Sequence, residues 1–114
     1  MKFTIIVKSP LVNSYSALNF TIAAIKLNQA IPVIFFYQHG TNIANAFIDL
    51  PQDEINIQQK WQALAQNHGV QLVVCSASAL RQGLQLDKLA THFVVGSLGQ
   101  LTEVIGAAER VVVF

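Results

Sequence analysis

A chain of 114 residues accommodates one compact domain and is too short for two ordinary ones. Hydrophobic residues make up 53% and charged residues 11%, against about 25% charged in a typical soluble domain, which excludes a disordered tail protein. Seven Lys and Arg against six Asp and Glu leave a formal charge of +1, too weak a field to hold a phosphate backbone, so direct nucleic-acid binding by this chain is not expected.

In chain order, short β-branched runs alternate with segments of helical period, the pattern of a parallel sheet covered by helices on both faces. Phe3 to Lys8 reads as the first strand. Ser14 to Asn28 reads as a helix carrying Leu18, Ile22 and Ile25, with Ala17, Ala23, Ala24 and Leu27 filling much of the rest, and is expected to be buried on most sides. Pro32 bars its continuation. Val33 to Tyr37 follows as a second strand.

Asp53 to His68 is the clearest amphipathic helix, with Ile57, Trp61, Leu64 and His68 on one stripe, Asp53 and Glu54 in the first turn and Gly69 as C-cap. Val70 to Cys75 and His92 to Val95 read as strands three and four. Leu98 to Ala108 is a last helix with Leu98, Leu101, Ile105 and Ala108 on one face, opened by the S-x-x-Q capping spacing of Ser97 to Gln100. Arg110 to Phe114 closes the chain as a fifth strand. Eighteen Asn and Gln residues replace much of the usual surface charge, and no repeat, linker or low-complexity tract interrupts the pattern. The reading is a single α/β domain over residues 1–114.

The longest apolar runs, such as Ile31 to Tyr37, fall far short of the roughly 20 residues a bilayer requires. Only five uncharged residues separate Lys2 from Lys8, less than the apolar stretch of a secretory signal. A single cysteine, Cys75, permits neither an internal disulfide nor a multi-cysteine zinc site, and a reducing, cytoplasmic compartment is expected. Low surface charge with a mean hydropathy of +0.45 points to apolar surface covered by other subunits, hence to an oligomer.

Reactive groups in open α/β sheets gather at the carboxyl ends of strands, where loops lead into helix N-termini. Cys75 lies at such a place. Ser76 to Arg81 has the composition of a helix start, whose free backbone N–H groups, at Ser76 and Ala77, and dipole favour thiolate over thiol. A helix terminus typically supplies about 0.3–1 kcal/mol, and up to about 2 in partly buried geometry, barely enough against the roughly 2 kcal/mol that brings an ordinary thiol to a neutral titration point. Arg81, two turns on, is a candidate for the difference. The alternative is a small apolar residue capping a buried strand.

His39, in the loop after the second strand, also lies at the carboxyl edge of the sheet and is a candidate proton donor or acceptor. His68 ends a helix and His92 opens a strand, and their spacing to Cys75 matches no zinc pattern. Gly96-Ser97-Leu98-Gly99 lacks both the full G-x-G-x-x-G and the P-loop lysine. Trp61 sits in a helical stripe and reads as core or interface. Ser14 and Ser16 have no nucleophile-elbow context, and no pair of carboxylates is placed for hydrolysis.

Three blocks of residues resemble the DsrE/TusD branch of the DsrE/DsrF/DsrH-like family of small sulfur-relay proteins. They are Phe35-Phe36-Tyr37-Gln38-His39-Gly40 with Ala44-Asn45, Trp61 through His68-Gly69-Val70 to Cys75 and on to Gly83, and Gly96 to Leu101 with Arg110 to Phe114. The middle block is the most specific, because it combines the cysteine with its surrounding run. There are departures: the loop after the first strand keeps Pro10 without the glycine usually found nearby, and the connection from Gly83 to His92 is abbreviated.

The resemblance implies a five-stranded parallel sheet in the order 4-3-2-1-5. It implies persulfide transfer through an accessible Cys75 thiol, toward 2-thiouridine formation in tRNA, with Ser76, Ala77, Arg81 and His39 in support and with no metal or organic cofactor. The implied partners are TusB- and TusC-like sister subunits, a TusA-like sulfur donor and a TusE-like acceptor, with neither nucleic acid nor membrane bound directly. A DsrE-like role in dissimilatory sulfur oxidation uses the same thiol. A scaffold subunit with an inert cysteine, and a redox sensor, which would lack a second cysteine to resolve a sulfenic acid, are the readings from other classes.

Overall fold

The computed structural model describes residues 1–9 and 12–114; Pro10, singled out above, lies outside them. Five strands, β1 (Lys2–Val7), β2 (Ala30–Phe36), β3 (Gln71–Cys75), β4 (Phe93–Gly96) and β5 (Arg110–Val113), form one sheet in the order β4-β3-β2-β1-β5. Every pairing is parallel. The helices are α1 (Val12–Lys26), α2 (Ile57–His68), α3 (Ser76–Arg81) and α4 (Leu98–Ala107), and a 3₁₀ segment, Gln38–Ala44, follows β2. The order 4-3-2-1-5 is the one the family resemblance implies.

Alternation along the strands sorts the core into two faces. Ile5, Val7, Ile34, Phe36, Leu72, Val74 and Phe93 share the larger cluster with α1 and α2 residues. Ile6, Val33, Phe35, Val73 and Cys75 turn the other way, where Leu101 of α4 covers them. Helices therefore lie on both faces, and unequally.

Trp61 anchors the larger core. It is fully buried, stands edge-on to Phe36 at 5.5 Å between ring centroids, and donates its indole N–H to Ser14 Oγ at 3.1 Å. The serine without a nucleophile's context is thus a buried acceptor. Ser14, Ala17, Thr21 and Ala24 are small, which lets α1 lie close on the sheet. Burial of α1 on most sides is not observed: Asn13, Ser16, Asn19, Ala23 and Lys26 form an exposed face, and Leu27 beyond its end is exposed.

Element boundaries shift where capping overrides periodicity. α2 begins at Ile57, because the Asn56 side chain accepts from Gln59 N at 3.1 Å, and Asp53 and Glu54 fall in the preceding turn rather than in the first helical turn. Its other end is as expected, with Gly69 left-handed at φ 68°. Of the stripe, Ile57, Trp61 and Leu64 are buried and His68 is exposed. α1 stops at Lys26 and Asn28 turns left-handed at φ 61°, well before Pro32. Pro32 lies inside β2, where three steps from Ala30 to Val33 oppose two from Lys2 to Thr4 of β1, and a proline that cannot donate fits such a bulge.

In α4 the Ser97 hydroxyl accepts from Gln100 N at 3.1 Å, as its spacing predicts. The expected buried face is only partly realised. Leu101 and Val104 pack inward, whereas Leu98 (47% exposed) and Ile105 (39%) do not, because among the described residues of the other helices only Ala77 at the start of α3 joins α4 on that side and no second long helix lies there to receive them.

Candidate functional site

Cys75 is the last residue of β3 and the N-cap of α3, the junction its sequence position implied. Two features differ from expectation. The helix that follows is only six residues long, so its dipole is short, and the cysteine side chain makes no hydrogen bond to the first turn. The sulfur, expected to be accessible, is fully buried, at 0% exposure. The reason is strand alternation: Val73 and Cys75 share one side of β3, and that side faces α4.

The thiol's neighbourhood is apolar and closely packed. It joins Ile6, Val33, Phe35, Val73 and Leu101, with Tyr37, Ala77 and Val104 against the group. Gly96 is its partner across β4, and a Cβ there would stand 2.4 Å from Val73 Cγ1 and 2.7 Å from Gln100 Oε1, so only glycine lets β4 and the start of α4 close over this end of β3. Ser76 and Ala77, whose amides open α3, are half-buried.

His39 and Arg81 are brought together, but elsewhere. Both line a cavity of about 290 Å³ with Gln38, Ser78 and Gln82, and Cys75 is not among its walls. These two side chains line a polar cavity between the 3₁₀ segment and α3, whereas the thiol lies in the apolar cluster under α4. His68 and His92 are exposed at other edges of the molecule. Among the described residues, no group of three or more His, Cys, Asp and Glu side chains is arranged to hold a metal ion.

Sequence reasoning missed Gln38, Ser78 and Gln82. Ser78 and Gln82 were findable, since they lie one and two turns beyond Cys75 near Arg81. Gln38 was not, because its place depends on the loop geometry, in which Gln38 takes a left-handed φ of 50°. It also missed Leu101 as a member of the buried cluster that holds the thiol, since only the fold places α4 on that face of the sheet.

The whole chain, residues 1–114, matches the model of the DsrE/DsrF-like family. A sulfurtransferase TusD homolog of Vibrio cholerae is 34% identical, the match covering all of this chain and 98% of the relative. Sulfurtransferase TusD of Cronobacter sakazakii is 34% identical with both chains fully covered. Both alignments run to 128 positions against the 114 residues here, so each relative carries insertions that this chain lacks. Among solved structures, YchN of E. coli superposes with a TM-score of 0.83 over the full length of both chains at 21% identity. A protein of unknown function from Methanobacterium thermoautotrophicum superposes with a TM-score of 0.73 at 15% identity, over 99% of this chain and 98% of the other. These two likenesses speak for the fold alone. With its matched length and its sheet order, the chain belongs to the DsrE/DsrF-like family.

Proposed function

We propose that this chain is a sulfurtransferase subunit that carries sulfur as a persulfide on Cys75, in the cytoplasmic relay that leads to 2-thiouridine in tRNA. The support is its full-length similarity to proteins named as TusD sulfurtransferases. One observation ties the reading to a residue: the chain has a single cysteine, and it closes a central strand at the carboxyl edge of the sheet.

The chemistry consists of two thiol exchanges. The Cys75 thiolate attacks the outer sulfur of a donor protein's persulfide, forming a Cys75 S–S bond and breaking the donor's, and the donor leaves as a thiolate. An acceptor thiolate then attacks the outer sulfur of Cys75–S–SH and releases the Cys75 thiolate. No electrons are gained or lost overall, and no metal or organic cofactor takes part. The tRNA is a downstream recipient, consistent with the weak net charge.

Burial sets a condition on this reading: α4 must move for another sulfur to reach Cys75. The packing supports such movement, since Leu101 is the only buried residue of α4 and Leu98 and Ile105 contribute no core contact. Sister subunits of TusB and TusC type would cover the apolar band around α4, made of Leu98 and Ile105 with Val94 of β4 and Val111 and Val113 of β5, all exposed in the single chain. Donor and acceptor proteins of TusA and TusE type would meet the thiol from the same side.

The burial also favours a second reading, a scaffold subunit whose cysteine is inert core. Incubation of the assembled subunit with a persulfidated carrier, followed by mass spectrometry, separates the two. The relay predicts one added sulfur atom on the peptide holding Cys75 and none in Cys75→Ser. An unchanged mass in the assembled complex leaves the scaffold.

A further inference from the structure

We infer that the cavity between the 3₁₀ segment and α3, lined by Gln38, His39, Ser78, Arg81 and Gln82, is a binding site for a small tetrahedral oxyanion of the sulfate or phosphate class. All five lining residues carry polar side chains, one of them a guanidinium, and no carboxylate is among them. A site of this composition presents donors and lacks a competing anion.

The donors are already oriented. Gln82 Oε1 accepts from His39 Nδ1 at 3.0 Å and from Asn42 Nδ2 at 3.5 Å. Since an amide oxygen only accepts, this arrangement has His39 donate from Nδ1, and among the described residues the Gln82 NH₂ group has no hydrogen-bond partner. Ser78 supplies the independent sign of a ligand. It is 2% exposed, and its Oγ is the one buried side-chain polar atom without a hydrogen-bond partner among the described residues. Buried hydroxyls are nearly always satisfied, and one without a partner on a residue that lines a polar cavity marks a place for an acceptor.

The frame is stiff enough to hold this arrangement. Gly40 N donates to Lys8 O at 3.0 Å and Tyr37 O at 2.9 Å, and Thr41 Oγ1 donates to Gln38 O at 2.9 Å, fixing the loop wall against the end of β1. The other wall is α3. Donors on two facing walls suit a ligand whose oxygens point in several directions, which favours a tetrahedral anion over a planar carboxylate with two oxygens.

The site is separate from Cys75, so its test does not depend on sulfur transfer. The ¹⁵N-labelled full chain is titrated with sodium sulfate and sodium phosphate, and with acetate for comparison, at constant ionic strength set with chloride. Saturable shifts confined to the amides of residues 38–42 and 78–82 are expected, with acetate weaker. Arg81→Gln should weaken sulfate binding about tenfold or more, and Ser78→Ala measurably, whereas Arg110→Gln, an exposed arginine on β5, should not. Cys75→Ser should bind sulfate as the unaltered chain does, which keeps this outcome distinct from failure of the persulfide reading. Shifts that do not saturate, that spread over the surface lysines and arginines alike, or that persist undiminished in Arg81→Gln would overturn the assignment, and tighter binding of acetate would overturn its tetrahedral character.

Discussion

Gly40 sits where the chain leaving β2 crosses the end of β1. A Cβ there would stand 2.1 Å from Val7 O and 2.8 Å from Val7 C, against backbone that cannot step aside. Gly40→Ala is therefore expected to destabilise the fold by several kcal/mol, or to push the Gln38–His39 wall outward, and urea unfolding measures which. The Ser14–Trp61 bond is the other residue-scale pivot. Removing either partner alone leaves a buried polar group unpaired, at a cost of about 1–3 kcal/mol. The double change Ser14→Ala with Trp61→Phe removes both groups, so its destabilisation should fall short of the sum of the single ones by about 1 kcal/mol or more in the same unfolding experiment.

Among the elements, α4 decides what Cys75 can do. Its hold on the sheet rests on Leu101 and Val104, with a long Thr4 Oγ1 to Val104 O contact of 3.5 Å. Leu101→Ala should cost about 2 kcal/mol of stability, at the lower end for such truncations because the site is near the surface, and should raise the rate of Cys75 alkylation by iodoacetamide well above that of the unaltered chain. Equal alkylation rates in the two proteins would mean that α4 is not the cover. α2 offers a contrast, since its start is fixed by one side chain: Asn56→Ala should cost about 1 kcal/mol without changing Cys75 reactivity.

For the molecule as a whole, the two faces of the sheet are finished to different degrees. α1 and α2 close one face around Trp61 and Phe36, while on the other Val94, Val111 and Val113 stay exposed beside α4. Exposed valines at sheet edges are where an isolated chain meets other chains. Val113→Lys should leave the thermal unfolding of the single chain nearly unchanged and reduce its recovery in a complex when coexpressed with sister subunits, as read by size-exclusion chromatography. Unchanged complex formation would place the interface elsewhere.

Much of this was determined by the amino-acid sequence. The alternation of apolar runs with helical stripes dictated a parallel α/β sheet; the Ser97 and Gly69 caps followed from short-range chemistry, and the uniqueness of Cys75 is a property of composition. Local signals of this kind act within a turn or two of their residues. Tertiary structure alone decided that Cys75 is covered, that Leu98 and Ile105 are not, and that Arg81 and His39 line one cavity with Ser78 while the thiol lies in an apolar cluster. Those outcomes depend on which strand face α4 lies against and on how the loop after β2 folds back over β1. They are set by contacts between residues far apart in the chain, which no local period encodes.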